Sequence, residues 1–347
     1  MTAPDARLIR SAMSGHRFRV ARQALTVSLV ASILLPLICL CIFGSLDYNR
    51  RIANVDSALS KLSIAAQEHA LRIFDLNAAL TARTMDFLGN QTRDEIRQRE
   101  PQIHRSLEAI SSGYPQVASL SVFGPAGDLI ASSRYSPPPA IAIADRDDFR
   151  SASHWRPHPY ISLPLYRRID GETVLATSIG RANEKGDSLG VISIALRRRY
   201  FIDFYSDLVD DDPGYAVGLY RREGAAILAS SSPDAALGRL EHNREFRQAV
   251  RENVMYGSFT QPGNGQSDNL LVEFRRVGEY PVYVACTFAL DELRGAWWRS
   301  LIVLAAGTLI PGAMICAWIS FALIRLRADE AEWLRQNGDI ARQPDAR

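Results

Sequence analysis

Residues 117–133 read VASLSVFGPAGDLIASS. Val117–Phe123 and Leu129–Ser133 are strand-like runs, and Gly124-Pro125-Ala126-Gly127-Asp128 between them is turn chemistry, so the stretch predicts an antiparallel hairpin. The pattern returns as Tyr215–Tyr220, Arg221-Arg222-Glu223-Gly224 and Ala225–Ser230. Three more strands follow each hairpin. After the first they are Tyr160–Arg167, Val174–Arg181 and Leu189–Arg197, separated by Asp170-Gly171 and Gly186-Asp187. A short helix, Tyr200–Leu208, closes that half. After the second hairpin come a helix, Glu241–Arg251, and strands Tyr256–Thr260, Asn269–Arg276 and Pro281–Thr287. Two such units predict an α+β fold of antiparallel sheets with helices on their faces. Residues 134–160 are predicted irregular, with Pro137, Pro138 and Pro139 in a row. A loop this long inside a compact domain is usually functional.

Outward from this core, residues 47–89 predict one long helix. No Pro or Gly interrupts it before Gly89-Asn90. Ile52, Val55, Leu59, Leu62, Ala66, His69, Ile73, Leu76 and Leu80 alternate at spacings of three and four. Such a stripe either packs on its own domain or forms a dimer seam, and the two can coexist along one helix. A second helix is predicted over Asp94–Ser111.

Two runs carry no charge: Ala24–Leu46, 23 residues, and Ser300–Ile324, 25 residues. Each exceeds the roughly 20 apolar residues that cross a bilayer. The first is too long for the core of a cleaved signal peptide and is read as an anchor. Arg7, Arg10, Arg17, Arg19 and Arg22 precede it, and Arg325, Arg327, Arg335, Arg342 and Arg347 follow the second run. By the positive-inside rule both ends face the cytoplasm and residues 47–298 face outward. Arg outnumbers Lys 38 to 2, which suggests a GC-rich bacterial genome and makes the outside a periplasm. The expected divisions are 1–23 cytoplasmic, 24–46 membrane, 47–205 and 206–298 outer modules, 299–324 membrane and 325–347 cytoplasmic tail. That tail is shorter than the ~50 residues of a small catalytic domain, so the output is expected to be missing or to come from a separate cytoplasmic protein.

The net charge of +2 gives no basic excess for nucleic acid. Cys39, Cys41 and Cys316 lie in the apolar runs, leaving Cys286 alone between them, so neither a disulfide framework nor a four-cysteine zinc site is expected. No Gly-x-Ser-x-Gly elbow or Gly-rich phosphate loop is present, which argues against an enzyme. His154 and His158 stand four apart, but Pro157 and Pro159 exclude the helix a metal pair would need. Asp210-Asp211-Asp212-Pro213-Gly214 reads as a linker between modules. Pro36 and Pro311 sit inside the two spans, as hinges or as tolerated kinks.

Several stretches carry a family resemblance: Asp94-Glu95-Ile96-Arg97, Leu120–Ser133, Ala144-Asp145-Arg146-Asp147-Asp148-Phe149-Arg150, Gly190–Ala195 followed by Tyr200-Phe201, and Ala285-Cys286-Thr287. In this order, over residues 20–325, the chain resembles the double Cache (PDC, PAS-like) periplasmic sensors of bacterial membrane receptors such as sensor histidine kinases and diguanylate cyclases. The resemblance implies two tandem PAS-like modules after the long helix, a homodimer, a small-molecule ligand and no cofactor. It also implies a ligand site between the first sheet and the loop after its hairpin. The candidate residues there are Arg134, Tyr135, Asp145, Arg146, Asp148, Phe149, His154 and Trp155, with Tyr166, Thr177, Ser178 and Arg181 on the facing strands. Arg134 or Arg146 would fork a carboxylate and Asp148 would hold an amine. Arg146–Asp148 as a loop salt bridge, with Phe149 as a core anchor, stays open beside this. The aromatic–Arg–Trp–Tyr run of amino-acid-binding double Cache receptors is not evident, so the ligand class is open. The rival expectations are a membrane-tethered binding or scaffold protein without relay, and the remnant of a truncated receptor.

Overall fold

A computed structural model describes residues 3–153, 159–167, 170–210, 214–223, 226–231, 235–263 and 269–340. The chain falls into two compact units, residues 54–292 and residues 1–53 with 293–347.

The described elements of the chain run as follows. The first helices are α1 (Ala3–Leu88), α2 (Arg93–Gln98) and α3 (Glu100–Ser111). Then come β1 (Val117–Phe123), β2 (Leu129–Ser132), α4 (Asp147–Ser153), β3 (Tyr160–Ile161), β4 (Leu165–Tyr166), β5 (Thr173–Ala182), β6 (Ser188–Arg197) and α5 (Arg198–Val209). The second half holds β7 (Tyr215–Arg221), β8 (Ile227–Ser230), α6 (Ala235–Leu240), α7 (Arg244–Arg251), β9 (Tyr256–Gln261), β10 (Leu270–Arg276), β11 (Val282–Ala289) and α8 (Leu290–Ile340).

The first sheet is ordered β2-β1-β6-β5-β3, with β4 also on β5, and the second β8-β7-β11-β10-β9. With β3 and β4 counted as one interrupted strand, both orders numbered within each half are 2-1-5-4-3, and every pairing is antiparallel. Each hairpin carries a bulge at the matching place, between Val122 and Phe123 in one and Leu219 and Tyr220 in the other. In the first sheet Gly190, at φ +105°, sits where a Cβ would lie 2.0 Å from the Phe123 carbonyl oxygen. Only glycine fits there.

The outer half of α1 backs both sheets. Its buried stripe includes Val55, Leu59, Ser63, Ala66, Ala70, Ile73, Asn77, Leu80, Thr84 and Leu88. Arg275 of β10 donates to Ser63 Oγ (2.7 Å), Gln67 donates to the Arg276 carbonyl (2.6 Å), and Asn77 donates to Thr177 of β5. The stripe therefore packs on its own domain. Gly89, at φ +49°, ends the helix.

Three expectations are corrected. The helix over Asp94–Ser111 is two helices meeting at Arg99, because Pro101 has no N–H to carry the helical ladder back to Arg97, and its ring crowds that carbonyl; Pro is accepted only in the first turn of the helix that restarts at Glu100. A Thr92/Glu95 capping box starts the first of them. The strand over Tyr160–Arg167 is two short pieces around Pro164. The irregular loop contains α4, whose first turn carries Asp147 and Asp148 at the favourable end of the helix dipole.

His69 of α1 stacks on Phe204 of α5 (ring centroids 3.5 Å apart), among Tyr200, Phe201 and Tyr205. Burial, aided by the Arg72 charge, lowers its pKa to about 4. The unfolded chain then binds a proton that the folded chain refuses between pH 6.5 and about 4, so this group removes stability as pH falls through that window. His69→Phe keeps the stack and cannot be protonated. Its unfolding transition is expected to decline less than wild type between pH 7 and 4.

In the other unit α1 and α8 are long and apolar enough to cross a membrane. Trp297 Nε1 donates to the Gly44 carbonyl (2.9 Å), and Ser32 Oγ and Cys316 Sγ lie 3.1 Å apart.

Candidate functional site

A cavity of about 60 Å³ lies over the first sheet, under the segment that leads into α4. Its floor alternates along the strands: Ser119, Ser121 and Phe123 on β1, Val174 and Ala176 on β5, Ser193 and Ala195 on β6. Leu129, Ile141, Ile143 and Leu165 wall it, and Arg146 and Arg167 supply its charge. The cavity exists because the floor is made of small side chains. Counted from the two hairpin bulges, the cross-strand row Ser121–Ser193–Ser178 matches Gly218–Ala285–Phe274 of the second sheet. There Phe274, with Tyr220, Tyr283 and Phe246, fills the space with a packed aromatic core.

Each arginine is held from behind by carboxylates. Arg146 pairs two-pronged with Asp148, Nε to Oδ1 at 2.8 Å, and Asp148 is 1% exposed. Ser178 Oγ donates to Asp148 (3.3 Å) and lies 2.9 Å from Ser193 Oγ. Arg167, 8% exposed, pairs with Asp170 and with Glu172 (2.8 Å), while its Nη1 reaches Ser119 Oγ at 3.5 Å. Burial works against ionising Asp170, but hydrogen bonds from Arg167 and the Glu172 amide, with the nearby Arg charges, hold its carboxyl below the usual range. Arg134 joins this network, 3.3 Å from Asp170 and 3.7 Å from Glu172.

Of the residues singled out from sequence, Arg146 lines the cavity, and the structure brings Asp148 and Ser178 together behind it. Phe149 packs beside them with Phe123, Leu129, Ile143 and Val191. Arg134 sits in the ion network with its guanidinium 5.8 Å from the Tyr135 ring centroid. Asp145 is exposed and gives its carbonyl to Arg150. Tyr166 is 76% exposed and does not line the cavity, though its neighbour Leu165 does. His154 and Trp155 lie outside the described residues.

Thr177 and Arg181 point to the opposite face of β5, toward α1. Thr177 accepts from Asn77, and Arg181 Nη2 donates to the Gly89 and Gln91 carbonyls (3.1 and 3.0 Å). Burial lowers the Arg181 pKa. It holds the chain where α1 ends, at the favourable end of that dipole for a cation. Arg181→Ala is expected to cost about 2 kcal/mol in chemical unfolding, the worth of hydrogen bonds from a charged donor. It should leave the cavity's arginines in place.

Sequence reasoning missed Arg167, Ser119, Ser121 and Ser193. The available signal was small polar residues alternating on a face that must be covered.

No family model and no characterised protein matches the sequence. Solved structures do. The extracellular domain of a candidate histidine kinase is 23% identical, with a TM-score of 0.56, covering 71% of this chain and 99% of that one. The sensory domain of a Campylobacter jejuni chemoreceptor with isoleucine bound is 15% identical (TM-score 0.47; 70% and 96% covered). The ligand-binding domain of a Pseudomonas aeruginosa amino acid chemoreceptor in complex with GABA is 18% identical (TM-score 0.47; 67% and 99% covered). The first of these shows that the fold, two antiparallel sheets on a long helix in this chain, is similar to that of the extracellular domain.

Proposed function

We propose that the chain is a membrane-anchored sensor of the double Cache type. Residues 47–298 lie on the periplasmic side, and a small ligand binds over the first sheet. The observation that carries this is the contrast between the two sheets. They share a strand order, yet one is filled with aromatic rings and the other encloses a cavity with two oriented arginines. The fold of an extracellular kinase domain and the two long apolar helices support the same reading.

Relay would pass through α4. Asp148 grips the cavity arginine, and its neighbour Asp147 accepts a hydrogen bond from Tyr160. Arg221 of β7 in turn donates to the Tyr160 hydroxyl (2.8 Å). Burial, then the bond to Asp147, raises the Tyr160 pKa, so the phenol keeps its proton. β7 pairs with β11, which runs on in sequence into α8. The α1 helices of two copies would join in a homodimer, and a separate cytoplasmic protein would receive the signal.

The test is a thermal-shift screen of the full chain in nanodiscs against amino acids, organic acids, amines and nucleobases. A ligand at 100 times its Kd stabilises by about 2.7 kcal/mol. No shift across all four classes would sink the sensor. Tyr160→Phe is expected to bind a hit with unchanged affinity but to lose the ligand-induced change in Trp297 and Trp298 emission.

A further inference from the structure

We infer that the cavity selects a short-chain carboxylate, of about two to four carbons, over amino acids and amines; this rests on the sensor assignment above. Among the described residues, both charged groups lining the cavity are arginines, and no Asp or Glu lines it. The nearby carboxylates are already engaged. Asp148 takes Nε and Nη2 of Arg146, and Asp170 takes Nε and Nη2 of Arg167. Each arginine is thereby fixed along one edge, with Nη1 left for an occupant. Arg146 Nη1 has no partner among the described residues, and Arg167 Nη1 makes one long contact, to Ser119. Two oriented guanidinium groups with the Ser119, Ser121 and Ser193 hydroxyls suit the two oxygens of a carboxylate.

An ammonium group finds no such partner. It would meet two like charges and hydroxyls, with every nearby acid behind an arginine, and would lose its hydration uncompensated. The rest of the wall is apolar, including Ile141, Ile143, Leu165 and Val174, so one end of the occupant is hydrocarbon. Size limits it further. An apolar cavity of about 150 Å³ holds benzene, and this one measures about 60 Å³.

The experiment compares propionate, propionamide and alanine on the full chain in nanodiscs, by thermal shift and calorimetric titration in acid-free buffer. Propionate should bind, and acetate and butyrate should bracket it. Propionamide, nearly the same size without the charge, and alanine, propionate with an α-ammonium, should each bind at least tenfold more weakly. Arg146→Gln and Arg167→Gln should each weaken propionate at least tenfold. Should either variant fail to fold, the comparison of ligands on wild type decides. Alanine or propionamide binding as tightly as propionate would overturn the inference, as would silence from all the acids. A hit among amines or nucleobases would then leave the sensor standing and remove only this ligand class. Silence from every class would remove both.

Discussion

Asp148→Asn should destabilise the chain by about 3–5 kcal/mol, the cost of breaking a buried ion pair by removing one partner. The substitution keeps the shape and removes only the charge. Asp148 is 1% exposed and receives both prongs of Arg146 together with the Ser178 hydroxyl. An amide accepts at one atom only, so one of the guanidinium bonds would meet an NH₂ group instead. Arg146 would keep its charge at 20% side-chain exposure with half its grip lost. Water reaches that side chain in part, which places the expected loss toward the lower end of the range. Such a loss is a large share of the 5–15 kcal/mol that holds a typical domain together. Urea unfolding of the detergent-solubilised chain, followed by circular dichroism, would measure it. The companion variant Arg146→Met/Asp148→Leu should recover most of the stability, because removing both charges leaves neither unpaired. It should also abolish propionate binding. A double variant as unstable as Asp148→Asn would mean that the loss comes from packing of α4 rather than from the stranded charge.

The pair shows where sequence reasoning reached and where it stopped. Arg146 and Asp148 stood out as opposite charges beside an aromatic residue in a segment too long for a bare connection. The hairpins stood out because strand alternation and Gly/Pro turns are local signals. The outer half of α1 was equally legible, since more than forty residues from Asp47 to Leu88 contain neither Gly nor Pro. The facing of β5 was not. Thr177 and Ser178 are adjacent, and only the register with β6 decides which one meets Ser193 on the cavity side of the sheet and which one meets Asn77 of α1. α4, with seven residues, is too short to show a helical period. Arg167 was hidden for a third reason. It stood at the end of the predicted strand Tyr160–Arg167, and its burial depends on Asp170 and Glu172 folding back across a turn to neutralise it. Pairings of that kind are set by tertiary contacts rather than by spacing along the chain.

Phe246→Ala carries the other large expected effect, a loss of about 3–5 kcal/mol for a buried Phe truncated to Ala. Phe246 is fully buried, on a helix fixed at its start by Asn243, whose side chain accepts from the Phe246 amide (2.9 Å). Its ring meets Tyr220 edge-on at 5.1 Å and Phe274 at 5.6 Å between centroids. It is the plug that keeps the second sheet solid where the first is hollow. Tyr220 and Tyr283 rise from β7 and β11 and cannot both lean into the gap, since Tyr220 is tied by its hydroxyl to the Leu237 carbonyl (2.9 Å). The vacated space should therefore persist as an apolar void rather than collapse, which puts the expected loss in the upper half of the range. Propionate affinity should stay unchanged, because the cavity residues belong to the other sheet. The decisive comparison is with Ser193→Ala, which removes one hydroxyl from the cavity floor and should cost little stability while weakening propionate. If Phe246→Ala weakened the ligand as much as Ser193→Ala does, the second sheet would have to be part of the binding site, and the division of labour between the two sheets would fall.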